Sequence, residues 1–113
     1  MYALRNKVQL IGNLGQNPEI KTTEGGKKLA RFNIATNESY RNTKGEKVTE
    51  TQWHTVIAWG KVADIAEKYL SKGSEVAIEG KLVNRSYNDK QGNKKYVTEV
   101  QVNEVLMLDK AAK

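Results

Sequence analysis

The chain has 113 residues, 38% of them apolar, with no cysteine, and 19 basic against 13 acidic residues give a net charge of +6. That length fits one domain with a modest core, and the missing cysteines exclude disulfide frameworks and thiolate metal sites. No stretch approaches the ~18 apolar residues of a membrane span, and the N-terminus lacks a secretory signal, so a soluble intracellular protein is expected.

The first strand is read over residues 3–14, with Val8, Leu10 and Ile11 interrupted by Gly12 and Gly15, as a sharply bent barrel strand requires. Pro18 punctuates the chain, Glu19–Thr23 could continue the strand briefly, and Glu24–Lys27 reads as a hairpin turn. Alternation from Leu29 to Asn37 makes the second strand, with Ala30, Phe32 and Ile34 facing inward. Glu38–Thr51 is polar, with a turn at Lys44-Gly45, and is read as a long functional loop or extended hairpin.

Trp53–Trp59 is the third strand, closed by Gly60. The period then changes: Val62, Ile65, Ala66, Tyr69 and Leu70 recur at helical spacing, which places Tyr69 in the core, and Gly73 marks the helix end. The fourth strand runs from Glu75 to Tyr87 with a kink at Gly80 and with Val76, Ile78 and Leu82 on one side. Asn88–Asn93 is a hairpin tip, Lys95–Leu108 the fifth strand, and residues 109–113 a short disordered end.

Three strands, one helix and two more strands describe an all-β domain over residues 1–108. The expected architecture is a five-stranded Greek-key barrel of the oligonucleotide/oligosaccharide-binding (OB) type, with one α-helix between strands three and four.

Catalysis has little support. His54 is the only histidine, and metal-ligand spacing and nucleotide-cradling glycine motifs are missing. No cofactor or metal is expected. Aromatics offer more. Trp53 and Trp59 share a strand face, and the smaller Val56 and Ala58 on the other face can line a narrow barrel, leaving the indoles outside. Tyr40 with Arg41 and Tyr87 with Arg85 flank the two hairpins.

Residues 1–35 carry six basic and two acidic groups and residues 81–113 seven and four, whereas the middle is nearly balanced. Exposed rings on a basic surface suit unpaired bases, which offer a π-face whatever their identity, while cations follow the backbone. Arg5, Lys7, Arg31, Arg41, Lys61, Lys72 and Arg85 are the candidate backbone contacts.

Several stretches resemble the bacterial single-stranded DNA-binding protein family. They include Gly12-Asn13-Leu14-Gly15-Gln16-Asn17-Pro18-Glu19, Ala35-Thr36-Asn37-Glu38-Ser39-Tyr40-Arg41, Trp53-His54, Tyr69-Leu70-Ser71-Lys72-Gly73-Ser74, Ile78-Glu79-Gly80 and Tyr96-Val97-Thr98-Glu99-Val100. The resemblance implies an OB-fold homotetramer (a dimer being the alternative) that binds single-stranded DNA without sequence preference and protects it in replication, recombination and repair. It implies a cytoplasmic, nucleoid-associated protein. By position, Tyr40, Trp53, Trp59 and Tyr87 resemble the family's base-stacking aromatics. Lys7, Arg41, Lys61, Lys72 and Arg85 resemble its backbone contacts, and His54 its subunit-interface histidine. Thr55 stands where some relatives have Arg. The family's acidic tail, which recruits replication and repair proteins, has no counterpart before Lys113, so such partners are expected only if a longer protein carries one. An OB-fold RNA binder and a protein-interaction module remain the alternatives.

Overall fold

In a computed structural model, residues 4–108 are described; the end at 109–113 lies outside them. Six strands and one helix follow in order: β1 (Val8–Leu14), β2 (Glu19–Thr22), β3 (Lys28–Arg41), β4 (Lys47–Trp59), α1 (Lys61–Tyr69), β5 (Glu75–Asn88) and β6 (Lys94–Met107). The sheet order is β1-β5-β6-β4-β3-β2, and a further β1–β3 pairing closes it. The closed barrel thus has the five expected strands. β2 is a separate short strand laid antiparallel along the start of β3, from Glu19↔Arg31 to Thr22↔Lys28.

Glycines make the closure possible. β1 pairs with β5 through Val8↔Gly80 to Asn13↔Glu75, then turns to β3 at Asn13↔Ala35 and Leu14↔Ile34. At that turn a Cβ on Gly12 would lie 2.2 Å from the carbonyl oxygen of Ala35, so only glycine lets the strands approach. The expected kink at Gly80 is a bulge: Glu79 pairs with Glu104 but Gly80 with Val102, leaving Asn103 as the extra residue. A short parallel pairing of Val56 with Val100 and Ile57 with Gln101 completes the wall.

The core follows the inward alternation: Ala30, Phe32 and Ile34 from β3, Val56 and Ala58 from β4, Val76 and Ile78 from β5, and Val100 and Val102 from β6 are buried. Each large apolar side chain so buried contributes about 1.5–3 kcal/mol. Helix α1 plugs one end with Ala63 and Ala66, and Leu70 follows at its C-cap. This face corrects one expectation. Tyr69 is 62% exposed, because the small Ala63 and Ala66 turn the helix and let it sit close to the barrel. Leu82 keeps the parity of Val76 and Ile78 on β5 but, unlike them, is exposed.

Of the two readings of Glu38–Thr51, the extended hairpin is the one the structure shows. β3 and β4 continue in unbroken register to Arg41↔Lys47 and form a hairpin arm, whose tip is tied by Asn42 N–H to Glu46 O at 3.0 Å. Polarity hid the strand because both faces of the arm are wet, so no apolar alternation is needed.

The helix is also fastened by charge. Lys28 Nζ lies 2.6 Å from Glu67 Oε1 and 2.9 Å from Asp64 Oδ1. These bonds, that to Glu67 first, push Lys28 up from 10.5 to about 12, and the bond to Lys28 holds Asp64 below its usual 3.8. A raised lysine contributes stability in full below its unfolded value and loses it as pH climbs through the folded one; a lowered carboxylate loses it as pH falls through its folded value. Thermal melts should therefore show a Lys28-dependent decline between pH 10.5 and about 12 and another below 3.8. Lys28→Gln should flatten both, and unchanged pH profiles in that variant would contradict the assignment.

Candidate single-strand interface

The outer face of β3, β4, β6 and β5 carries a groove in two adjoining parts. One is lined by Leu29, Ile57, Trp59, Val83 and Gln101, and the other by Gln16, Asn33, Thr55, Tyr87 and Val97; Arg31, Arg85 and Glu99 border both. Cross-strand register explains the grouping: Leu29 opposes Trp59, Arg31 opposes Ile57, and Asn33 opposes Thr55, all on the face away from the core. The end near Trp59 is therefore apolar, and the end near Tyr87 offers amides and hydroxyls.

Trp53 continues this surface. Its strand partner is Ala35, and its ring extends over Gly15, where a Cβ would stand 2.4 Å from the indole. Two small residues, on β3 and just past β1, leave the ring a shallow bed, and it remains 61% exposed. Trp59 and Tyr87 are also exposed, while Val56 and Ala58 fill the interior behind β4. The division of the β4 faces read from the sequence holds. Gly15→Ala should push the Trp53 ring off its bed, shift its emission and weaken oligonucleotide binding several-fold, with little change in melting temperature. Normal binding by this variant would show that the seat of the ring is immaterial.

Glu99 is the feature that residue patterns did not reveal. It is 2% exposed, yet its carboxylate faces the groove wall, accepting from Arg85 Nε at 2.9 Å and Nη2 at 3.2 Å and from Arg31 Nη2 at 3.1 Å. A buried carboxylate needs such partners, because stripping its hydration is otherwise prohibitive. The bond to Glu99 also pushes the Arg85 guanidinium above its already high range. Arg31 and Arg85, expected as open phosphate contacts, are thus held in an ion triad on the groove floor. A lone acidic residue within the Tyr96–Val102 strand run was the available signal.

The other expected residues are dispersed. Lys7 pairs with Glu79 at 3.4 Å, away from the groove lining. Lys61 opens the helix, and Lys72 is exposed in the turn before β5, where its backbone N–H donates to Asn17 Oδ1 at 2.8 Å. Arg5 is exposed ahead of β1. Arg41 donates to Gly45 O at 2.8 Å at the tip of the β3–β4 arm. Tyr40 is exposed on the same arm, but even-numbered β3 residues pair with even-numbered β4 residues there, so it shares a face with Glu38, Glu50 and His54 and is turned away from Trp53. His54 is partly buried, its Nε2 3.0 Å from Thr36 Oγ1.

A family model described as "Single-strand binding protein family" matches residues 5–108. The chain belongs to the single-strand binding protein family. Members are non-enzymatic DNA-binding proteins. The chain is 46% identical over 104 residues to "Single-stranded DNA-binding protein 1" of Chlorobaculum tepidum; the match covers 91% of this chain and 64% of that protein. The chain therefore spans a little under two thirds of the curated relative's length. It is also similar, at 36% identity and TM-score 0.83, to a solved chain from "Plasmodium falciparum SSB complex with ssDNA", covering 92% of this chain and 95% of that one. This likeness agrees with the OB barrel closed by β1 and plugged by a single helix. Among the described residues no helix is long and apolar enough to cross a membrane.

Proposed function

We propose that this protein binds single-stranded DNA without sequence preference, by stacking bases on Trp53, Trp59 and Tyr87 along the outer groove. The observation that carries the reading is the pair of indoles lying wet on the outer face of β4 while the opposite face builds the core. Bases stack on such rings for about 1–3 kcal/mol each, the general figure for single-strand binders, this family included. In a duplex those π-faces are hidden. Lys61, Lys72, Arg5, Lys7 and Arg41 supply positive charge around the barrel for the phosphates, and Tyr40 offers a further ring on the arm.

The protein acts as a homo-oligomer, a tetramer by family precedent. Supporting this, β1 pairs with β5 on one side but over Val8–Gly12 has no partner on the other among the described residues, and Ile11 and Leu106 are exposed nearby. His54 is assigned to a subunit contact. The cellular role is protection of exposed strands during replication, recombination and repair in the cytoplasm, at the nucleoid. Recruitment of replication and repair proteins is assigned only to a longer form carrying an acidic tail.

Titration with dT oligomers of increasing length, read by tryptophan emission, tests the reading. Quenching is expected, with log affinity falling by roughly 0.7 per phosphate contact against log salt. Unquenched emission, or equal affinity for duplex, would overturn it; preference for U over dT oligomers at equal salt would favour an RNA substrate.

A further inference from the structure

The Arg31–Glu99–Arg85 triad sits on the floor where both halves of the groove meet. Arginine normally grips phosphate with a fork of parallel N–H donors. In Arg85 the fork edge made by Nε and Nη2 is spent on Glu99, and Arg31 gives its Nη2 to the same carboxylate. Both side chains nevertheless remain partly exposed to the groove. A guanidinium clamped in this way has fewer donors left for phosphate and still offers its flat face, on which a base can stack. The carboxylate also cancels one of the two positive charges in a place where a polyanion would run.

We propose that Glu99 is a positioning residue: it holds Arg85 by its Nε–Nη2 edge and Arg31 by a single Nη2 bond, so that the groove presents them to bases more than to phosphates and favours single strands over duplex. The inference rests on the stacking reading given above. It makes Glu99 a determinant of specificity, with no contact to DNA of its own. Without it, both arginines are freed to seek phosphates, which single and double strands offer alike.

Two variants separate this from a merely structural role. Glu99→Gln keeps the shape but removes the charge. Glu99→Asp keeps the charge but is one methylene shorter, too short to serve both guanidinium groups. Binding to a dT oligomer and to a duplex of equal length is measured across salt concentrations, alongside thermal melts. For Glu99→Asp the salt slope should steepen by about 0.7, the single-strand value for one released arginine, with no change in net charge, and for Glu99→Gln by about 1.4. In both, the preference for single strand over duplex should fall several-fold. Lower melting temperatures with unchanged slope and unchanged preference would overturn the proposal. If Glu99→Gln does not fold, Glu99→Asp alone decides. Wild-type protein whose tryptophans are not quenched by the dT oligomer would instead sink the stacking reading, and this inference with it.

Discussion

Replacing Trp53, Trp59 and Tyr87 together by alanine should all but abolish binding to dT oligomers while the protein stays folded. On the proposed reading each ring would supply about 1–3 kcal/mol of stacking, so the triple variant should lose roughly 3–9 kcal/mol, between two and six powers of ten in affinity. Little stability goes with them. All three rings are exposed, and their strand neighbours Val56, Ala58 and Val100 hold the core without them. Single substitutions should each cost about 5- to 150-fold by the same arithmetic. A fluorescence-independent assay, such as mobility shift or calorimetry, is needed once the tryptophans are gone. A triple variant that still binds with near wild-type affinity would leave phosphate contacts as the whole interface. One that unfolds would mean the rings brace the barrel.

The opposite pattern is expected at Gly12. A methyl group there would meet Ala35 O at 2.2 Å, Ile34 Cγ2 at 2.8 Å and Ala35 C at 3.0 Å. Two of those atoms are backbone and cannot swing aside, so Gly12→Ala forces β1 away from β3. Only two register pairs, Asn13↔Ala35 and Leu14↔Ile34, join these strands. Overpacking of this kind costs about 3 kcal/mol or more, toward the extreme of single substitutions. In a domain of this size that lowers the melting temperature by roughly 10 °C. The oligonucleotide affinity of the molecules that remain folded should fall far less than in the triple variant, because Trp59 and Tyr87 lie on other strands and only the seat of Trp53 at Gly15 adjoins β1. A melting temperature within a degree or two of wild type would mean that the β1–β3 seam contributes nothing.

The contrast between these two positions explains how much could be read from residues alone. Barrel strands with one wet face announce themselves by alternation, which is why Phe32, Ile34, Val56 and Ala58 read as inward-facing and are buried. Glycines inside strand patterns signalled the bend at Gly12 and the bulge at Gly80. Pattern failed where both faces meet solvent. The β3–β4 arm satisfies its backbone by pairing alone, so its sequence is free to be polar and leaves loop and extended hairpin equally open. It failed again at Tyr69, because a helical stripe identifies which residues share a side but not how far small neighbours rotate that side toward solvent.

On the outer face, aromatic identity and strand parity pointed to Trp53, Trp59 and Tyr87 as exposed rings, and they are exposed. The partner of two arginines was out of reach: Arg31 and Arg85 lie 68 and 14 residues from Glu99 along the chain. Register brings the three together only once β3, β5 and β6 are in place.

The two-sidedness of the β3–β4 arm carries a consequence for the route a nucleic acid takes. On the proposed reading, a segment lying in the groove would run past Trp53 on one flank of the arm, whereas Tyr40 looks out from the other. No straight ligand touches both rings on one copy; the chain must bend round the projecting ribbon, or the second ring must serve a neighbouring stretch of polymer. Length, and not composition, then decides how much of the protein a strand can enlist.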